Sequence, residues 1–173
     1  MDSINEDLLR RLSEVGCNSL FSGIDSASNE KLKLIKKGFP TDQVIDAFGV
    51  LKKYKYATTA SFMVGLPGDN RQKIFDTINL AKRINPDFAM FSVTAPSYPG
   101  TELYENIDYY GIELMVNDWS QFTLAKPVAR TSPLSTRDLR RSLVNACVNL
   151  YMRASFLNSG HRKEADGLRA EPR

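Results

Sequence analysis

Residues able to do chemistry are few in this chain of 173 residues, and their spacing is informative. The one histidine, His161, lies in a polar C-terminal tail, which argues against a histidine metal site. The two cysteines, Cys17 and Cys147, are far apart and form no ligand-spaced pair, so both are expected to be buried thiols. That leaves the stretch Ala57 to Arg71, ATTASFMVGLPGDNR. Its first half is β-branched, aromatic and apolar, as a strand buried on both faces would be. Its second half, Gly65-Leu66-Pro67-Gly68-Asp69-Asn70, has the composition of a tight turn. A helical stripe follows in Ile74, Ile78, Ala81 and Ile84. Strand, glycine-rich turn and helix together make the C-terminal rim of a β/α unit, where α/β proteins bind ligands. The turn alone could require Gly65 and Gly68, Met63 could be core, and Asp69 is expected to cap the helix.

Several further elements must position that rim. Residues 5–16 read as a helix with Leu8, Leu9, Leu12 and Val15 on its stripe. A strand, Ser19 to Ile24, runs into the polar turn Asp25-Ser26-Ala27-Ser28, whose Ser28 caps a helix from Asn29 to Lys36 ending at Gly38. Thr41 is expected to cap a longer helix carrying Val44, Ile45, Phe48 and Leu51. After the helix over about 71–84, Asn85-Pro86-Asp87 breaks the chain before a third strand, Phe88 to Ala95. The turn Pro96 to Thr101 leads to a short helix through Leu103 and Tyr104. Residues 112–134 read as an irregular segment. A last amphipathic helix, Thr136 to Met152, is striped by Leu139, Leu143, Cys147 and Leu150. The tail from Asn158 has too few apolar residues to pack and is expected to be disordered. The divisions are therefore 1–111, 112–157 and 158–173.

This order implies α/β architecture with parallel strands and right-handed crossovers. Three strands are few for a closed barrel or a doubly wound sheet, so the chain reads as part of a larger architecture. The strand segments SLFSGI, TTASFMVG and FAMFSVTA carry no charge to guard an open edge. A net charge of +3, with no basic run interleaved with aromatics, argues against nucleic acid. No apolar run is long enough for a membrane helix and the first residues lack the pattern of a signal peptide, so the expected compartment is the cytoplasm.

Five blocks in order carry a family likeness: Gly23-Ile24-Asp25-Ser26, Leu32 to Gly38 (LKLIKKG), Phe62 to Gly68 (FMVGLPG), Pro86-Asp87, and Pro96 to Thr101 (PSYPGT). Together they resemble the second half of the radical S-adenosylmethionine (radical SAM) enzyme core, in the subgroup often fused to a cobalamin-binding domain. The likeness covers about Asp2 to Tyr104. It implies a partial (β/α) barrel, of which this chain holds about three parallel strands plus the C-terminal helix.

In that family a CxxxCxxC loop holds a 4Fe-4S cluster, whose remaining iron takes the amino and carboxylate groups of S-adenosylmethionine (SAM). Neither that loop nor the glycine motif that grips the amino group occurs in these residues. What the resemblance retains is the nucleoside side of the SAM site. Asp25 falls where the family places Glu or Gln near the ribose, with Ser26 a second polar candidate. Lys37 falls where some members aim a basic residue at the SAM carboxylate. Met63, Gly65 and Leu66 match the strand and turn laid against adenine, and Thr94 to Pro96 match the backbone at the end of the last strand. The chain alone is then expected to be inactive, a truncated or split form in which an N-terminal half brings the cluster. Self-association is the other expected partnership. A non-catalytic binding module on the same scaffold and a decayed reading frame are the alternatives.

Overall fold

The structure, a computed structural model, describes residues 4–93, 98–116, 118–123 and 126–152. Its elements run α1 (Glu6–Glu14), β1 (Ser19–Asp25), α2 (Asn29–Leu34), α3 (Thr41–Lys53), β2 (Ala57–Val64), α4 (Arg71–Ile84), β3 (Phe88–Val93), α5 (Glu102–Glu105), β4 (Ile112–Leu114), β5 (Ala129–Thr131) and α6 (Thr136–Tyr151). Strands β1, β2 and β3 form one parallel sheet in that order, with β2 central. The α/β class, the three parallel strands and the C-terminal helix agree with the sequence reading. The third strand ends at Val93, and residues 94 and 95 of its expected span lie outside the described residues.

Among the described residues, one face of the sheet is packed and the other is not. Along β2, Thr58, Ala60, Phe62 and Val64 are buried, whereas Thr59, Ser61 and Met63 are partly exposed. The strand was expected to be buried on both faces. Instead α3, α4 and α6 cover one face, and no described element covers the other. Phe62 stacks on its β3 partner Phe91 at 5.1 Å within a core that includes Ile24, Phe48, Ala60 and Ile84. Burying side chains of this size stabilises a fold by about 1.5–3 kcal/mol each. At the lower end of the sheet, Asp87 Oδ2 accepts from Thr58 N and Oγ1 at 2.8 and 2.9 Å, pinning the β2–β3 register.

The helix ends show where local chemistry outvoted composition. Helix α2 stops at Leu34, with Lys36 in the left-handed region at φ +58 and Lys37 N–H donating to Leu32 O at 2.8 Å. This is a Schellman ending made without glycine, two residues before the expected Gly38. Thr41 is the first helical residue of α3 and not its cap; Pro40 takes that position, and Thr41 N–H donates to Asn29 Oδ1. Val15 lies past the end of α1 and is exposed, so Leu9 carries the burial there. Residues 112–134 are more regular than expected: β4 and β5 pair antiparallel. The thiols are not buried. Cys17 is partly exposed and Cys147 is exposed, because the inward stripe of α6 runs through Leu139, Ala146 and Leu150.

Helix α6 closes one edge of the sheet. Ser135 and Asp138 form a capping box at its start, and Arg71 Nη2 lies 2.7 Å from Asp138 Oδ1. The Ser135 hydroxyl, followed by the Arg71 guanidinium, holds the Asp138 carboxyl down at about 2. At the other end the Tyr151 hydroxyl donates to Ala89 O at 2.5 Å and accepts from Ala89 N–H at 3.3 Å. Those two backbone groups lie on the side of β3 away from β2, so Tyr151 satisfies an otherwise open edge. The opposite edge, β1, has no strand beside it among the described residues.

Candidate functional site

The C-terminal end of β1 carries the candidate site. The β1–β2 register slips between Gly23 and Asp25, a bulge of the kind that re-aims a side chain. Asp25 itself has φ +67, a left-handed conformation that Asp tolerates better than most residues. The reversal at Lys36 brings Lys37 back across β1. Its ammonium lies 2.8 Å from Asp25 Oδ2 and donates to Gly23 O at 3.1 Å. A Cβ on Gly23 would sit 3.2 Å from that nitrogen and 3.7 Å from Ser61 Oγ. The Asp25 side chain is 13% exposed and that of Lys37 29%, so the pair is partly withdrawn from water.

The neighbouring rim turn is built around Asp69. Its Oδ2 accepts from both Gly65 N–H and Leu66 N–H at 3.0 Å, and its own N–H donates to Leu66 O. Burial raises the carboxyl above its usual value, against the pull of the Leu66 and Gly65 amides and of Lys31 and Lys73. Asp69 therefore ties the turn to itself, and Asn70 is the residue that caps α4, accepting from Lys73 N–H. Gly65 and Gly68 are demanded by their backbone conformation, and only side-chain ends crowd the space where a Cβ would go. They sit at φ +82 and +71, and added Cβ atoms would meet Leu139 Cδ2 at 2.8 Å and Lys31 Nζ at 2.5 Å. Leu66 and Pro67 line a cavity of about 220 Å³ shared with Leu34, Ile35, Leu103 and Tyr110.

The sequence-derived candidates therefore fall in several places. Asp25 and Lys37 come together as an ion pair. Ser26 is buried, and its Oγ accepts from Ser28 N–H, serving the turn. Met63 lies on the uncovered sheet face, opposite Ser92 of β3. Gly65 and Leu66 give their N–H groups to Asp69. Thr94 and Pro96 lie outside the described residues. Sequence reasoning gave no site role to Gly23, whose Cβ position lies 3.8 Å from Asp25 Oδ1, or to Ser61, whose Oγ lies 3.7 Å from the same position; a glycine two residues before an acidic one was the available signal.

Metal ligation has no comparable geometry. Cys17 Sγ donates weakly to Ser19 O, Cys147 sits out on α6, and no three His, Cys, Asp or Glu side chains gather among the described residues. No helix among them is long and apolar enough to cross a membrane.

Comparisons with known proteins agree with this fold. The family model described as Radical SAM superfamily matches residues 1–81. An uncharacterized methyltransferase of Pyrococcus horikoshii is 32% identical over 157 residues, which is 91% of this chain and 34% of that protein. The anaerobic magnesium-protoporphyrin IX monomethyl ester cyclase of Rubrivivax gelatinosus is 23% identical over 94% of this chain and 28% of its own length. The chain thus spans about a third or less of these relatives. Among solved structures, the archaeal Elp3 of Methanocaldococcus infernus aligns with a TM-score of 0.55 at 25% identity, covering 61% of this chain and 25% of that one. The Escherichia coli coproporphyrinogen III oxidase HemN, described as a radical SAM enzyme, shares the fold at a TM-score of 0.51 and 18% identity, over 67% of this chain and 32% of that one. Fold, motif order and relatives agree on the radical SAM superfamily, whose family model this chain matches over residues 1–81.

Proposed function

We propose that this chain supplies the nucleoside side of a SAM site and that Asp25 accepts from the ribose hydroxyls. The observation that carries the proposal is a partly buried carboxylate at the C-terminal end of a parallel strand. Parallel sheets bind ligands at that end. A vicinal diol offers two O–H donors to such an acceptor, and hydrogen bonds to charged groups are the stronger kind. Met63 and the Gly65 turn lie at the end of the adjacent strand, and the apolar side of a base would rest there.

The donor set does not fit the iron–sulfur cluster. Two thiols on separate elements cannot replace three local cysteines. Cluster and SAM methionine contacts must come from residues outside these 173, on a longer form of the protein or on a partner. The uncovered sheet face is where such a segment, or a second copy, would pack. Any catalysis belongs to the completed assembly.

Two measurements test this. Calorimetry of the full chain with S-adenosylhomocysteine is expected to give weak binding, about 1 mM or about 4 kcal/mol, because half the ligand's contacts are missing. Micromolar binding that survives Asp25→Ala would place the site elsewhere. Anaerobic reconstitution with iron and sulfide is expected to leave the chain without a cluster. Close to four irons per chain with a broad charge-transfer band would overturn that assignment.

A further inference from the structure

We infer that Lys37 is a positioning residue: it holds the Asp25 carboxylate in one orientation and cancels its charge, so that the site selects a neutral vicinal diol over other polar ligands. The inference rests on the ribose-side reading of Asp25 and adds a second residue and a selectivity to it.

The geometry is specific to these two groups. Lys37 reaches Asp25 because Lys36 takes the left-handed conformation and Lys37 N–H closes back on Leu32 O. Its ammonium is then held from two sides, by Asp25 Oδ2 and by the Gly23 carbonyl. The Phe39 ring lies below it, 5.9 Å from nitrogen to centroid. Gly23 supplies the room, since any larger residue there would put a methyl carbon 3.2 Å from the ammonium. Among the described residues, Oδ2 is the Asp25 oxygen that is paired. Oδ1, which lies 3.8 Å from the same Cβ position, is left to accept from a ligand.

Two consequences follow for recognition. A carboxylate fixed by one oxygen loses little rotamer freedom when the other accepts a hydroxyl, which is the benefit of preorganisation. Charge gives the selectivity. An unpaired, partly buried carboxylate would attract any cation, whereas a carboxylate already beside an ammonium offers a hydroxyl an acceptor and a cation no net attraction. Without Lys37 the carboxylate would turn freely, and the distinction between a diol and its deoxy analogue would fade.

The readout is a ratio of affinities, which a purely structural role would leave unchanged. Chemical-shift titrations of the full chain with adenosine and with 2′,3′-dideoxyadenosine are expected to favour adenosine about tenfold, roughly the worth of one hydrogen bond to a charged group. Asp25→Ala should abolish that preference. Lys37→Met should bring the ratio close to one while circular dichroism and the melting temperature hold. Lys37→Arg, keeping the charge, should restore most of the preference. Gly23→Ala should weaken it with both charged groups present, because it displaces the ammonium. If the wild type shows no preference, or Asp25→Ala retains it, the ribose-side reading of Asp25 fails and this inference with it. If Asp25→Ala loses the preference but Lys37→Met keeps it, the reading stands and the role of Lys37 is overturned.

Discussion

Replacing Asp69 with alanine is expected to destabilise the chain by about 2–4 kcal/mol, whereas asparagine at the same position should cost less than about 1 kcal/mol. The difference lies in which atom does the work. Both buried amides, Gly65 N–H and Leu66 N–H, donate to the same oxygen, Oδ2. An asparagine carbonyl has two lone pairs and can take over both bonds, while alanine leaves two donors unpaired at about 1–3 kcal/mol each. The acid also carries a pH dependence that the amide lacks. Burial raises the folded carboxyl above its ordinary 3.8. A raised value means that the Asp69 contribution is fully present below about 3.8 and is lost as pH rises through the folded value. Asparagine should therefore gain on the wild type as pH climbs from 4 to 7. Urea unfolding of the three proteins across that range provides the measurement. Equal losses for alanine and asparagine would show that the two amide bonds do not hold the turn.

How far such features could be read from sequence depends on whether their cause is periodic or local. The stripe Ile74, Ile78, Ala81, Ile84 declares α4 because every member points inward, Ile74 and Ile78 into one cluster and Ala81 and Ile84 into the next, and all four are buried. The ends of helices are less legible. Lys36 and Lys55 adopt the left-handed conformation where glycine would be the expected signal, because the residues that follow them, Lys37 and Tyr56, bond back to Leu32 and Leu51. Cys147 was misplaced for a related reason. Its spacing from Leu143 and Leu150 fits a helical stripe, but α6 is rolled so that Ala146 faces the core instead. The Asp25–Lys37 pair crosses two elements, and composition gives no hint of it. Family likeness marked both positions, each as a ligand contact; the geometry adds that the two side chains pair with each other. Asp69 was legible as a polar turn residue, yet the direction of its bonds, backward to Gly65 instead of forward to the helix, depends on a tight turn with two left-handed glycines.

The uncovered face of the sheet leads to the largest change in behaviour expected of the isolated chain, which is self-association. Phe21, Phe88 and Met90 are 64%, 43% and 51% exposed. The strand register aligns Phe21 with Thr59 and Phe88 across the sheet, and Gly23 with Ser61 and Met90, so the three large side chains share one surface. Beside it, β1 has no strand on its outer edge among the described residues, whereas the β3 edge is occupied at Ala89 by Tyr151. A contiguous apolar face next to an unpaired strand favours association. Light scattering after size exclusion should therefore find the wild type above its monomer mass of 19.4 kDa, with bound hydrophobic dye. The triple change Phe21→Ser, Phe88→Thr, Met90→Gln should yield a monomer that binds less dye. Its melting temperature should hold within a few degrees, because exposed side chains forfeit little burial when removed. A wild-type chain that elutes as a dye-free monomer and melts cooperatively would mean that the face is already covered within the chain. In that case the second half of the site would have to approach from the β1 edge.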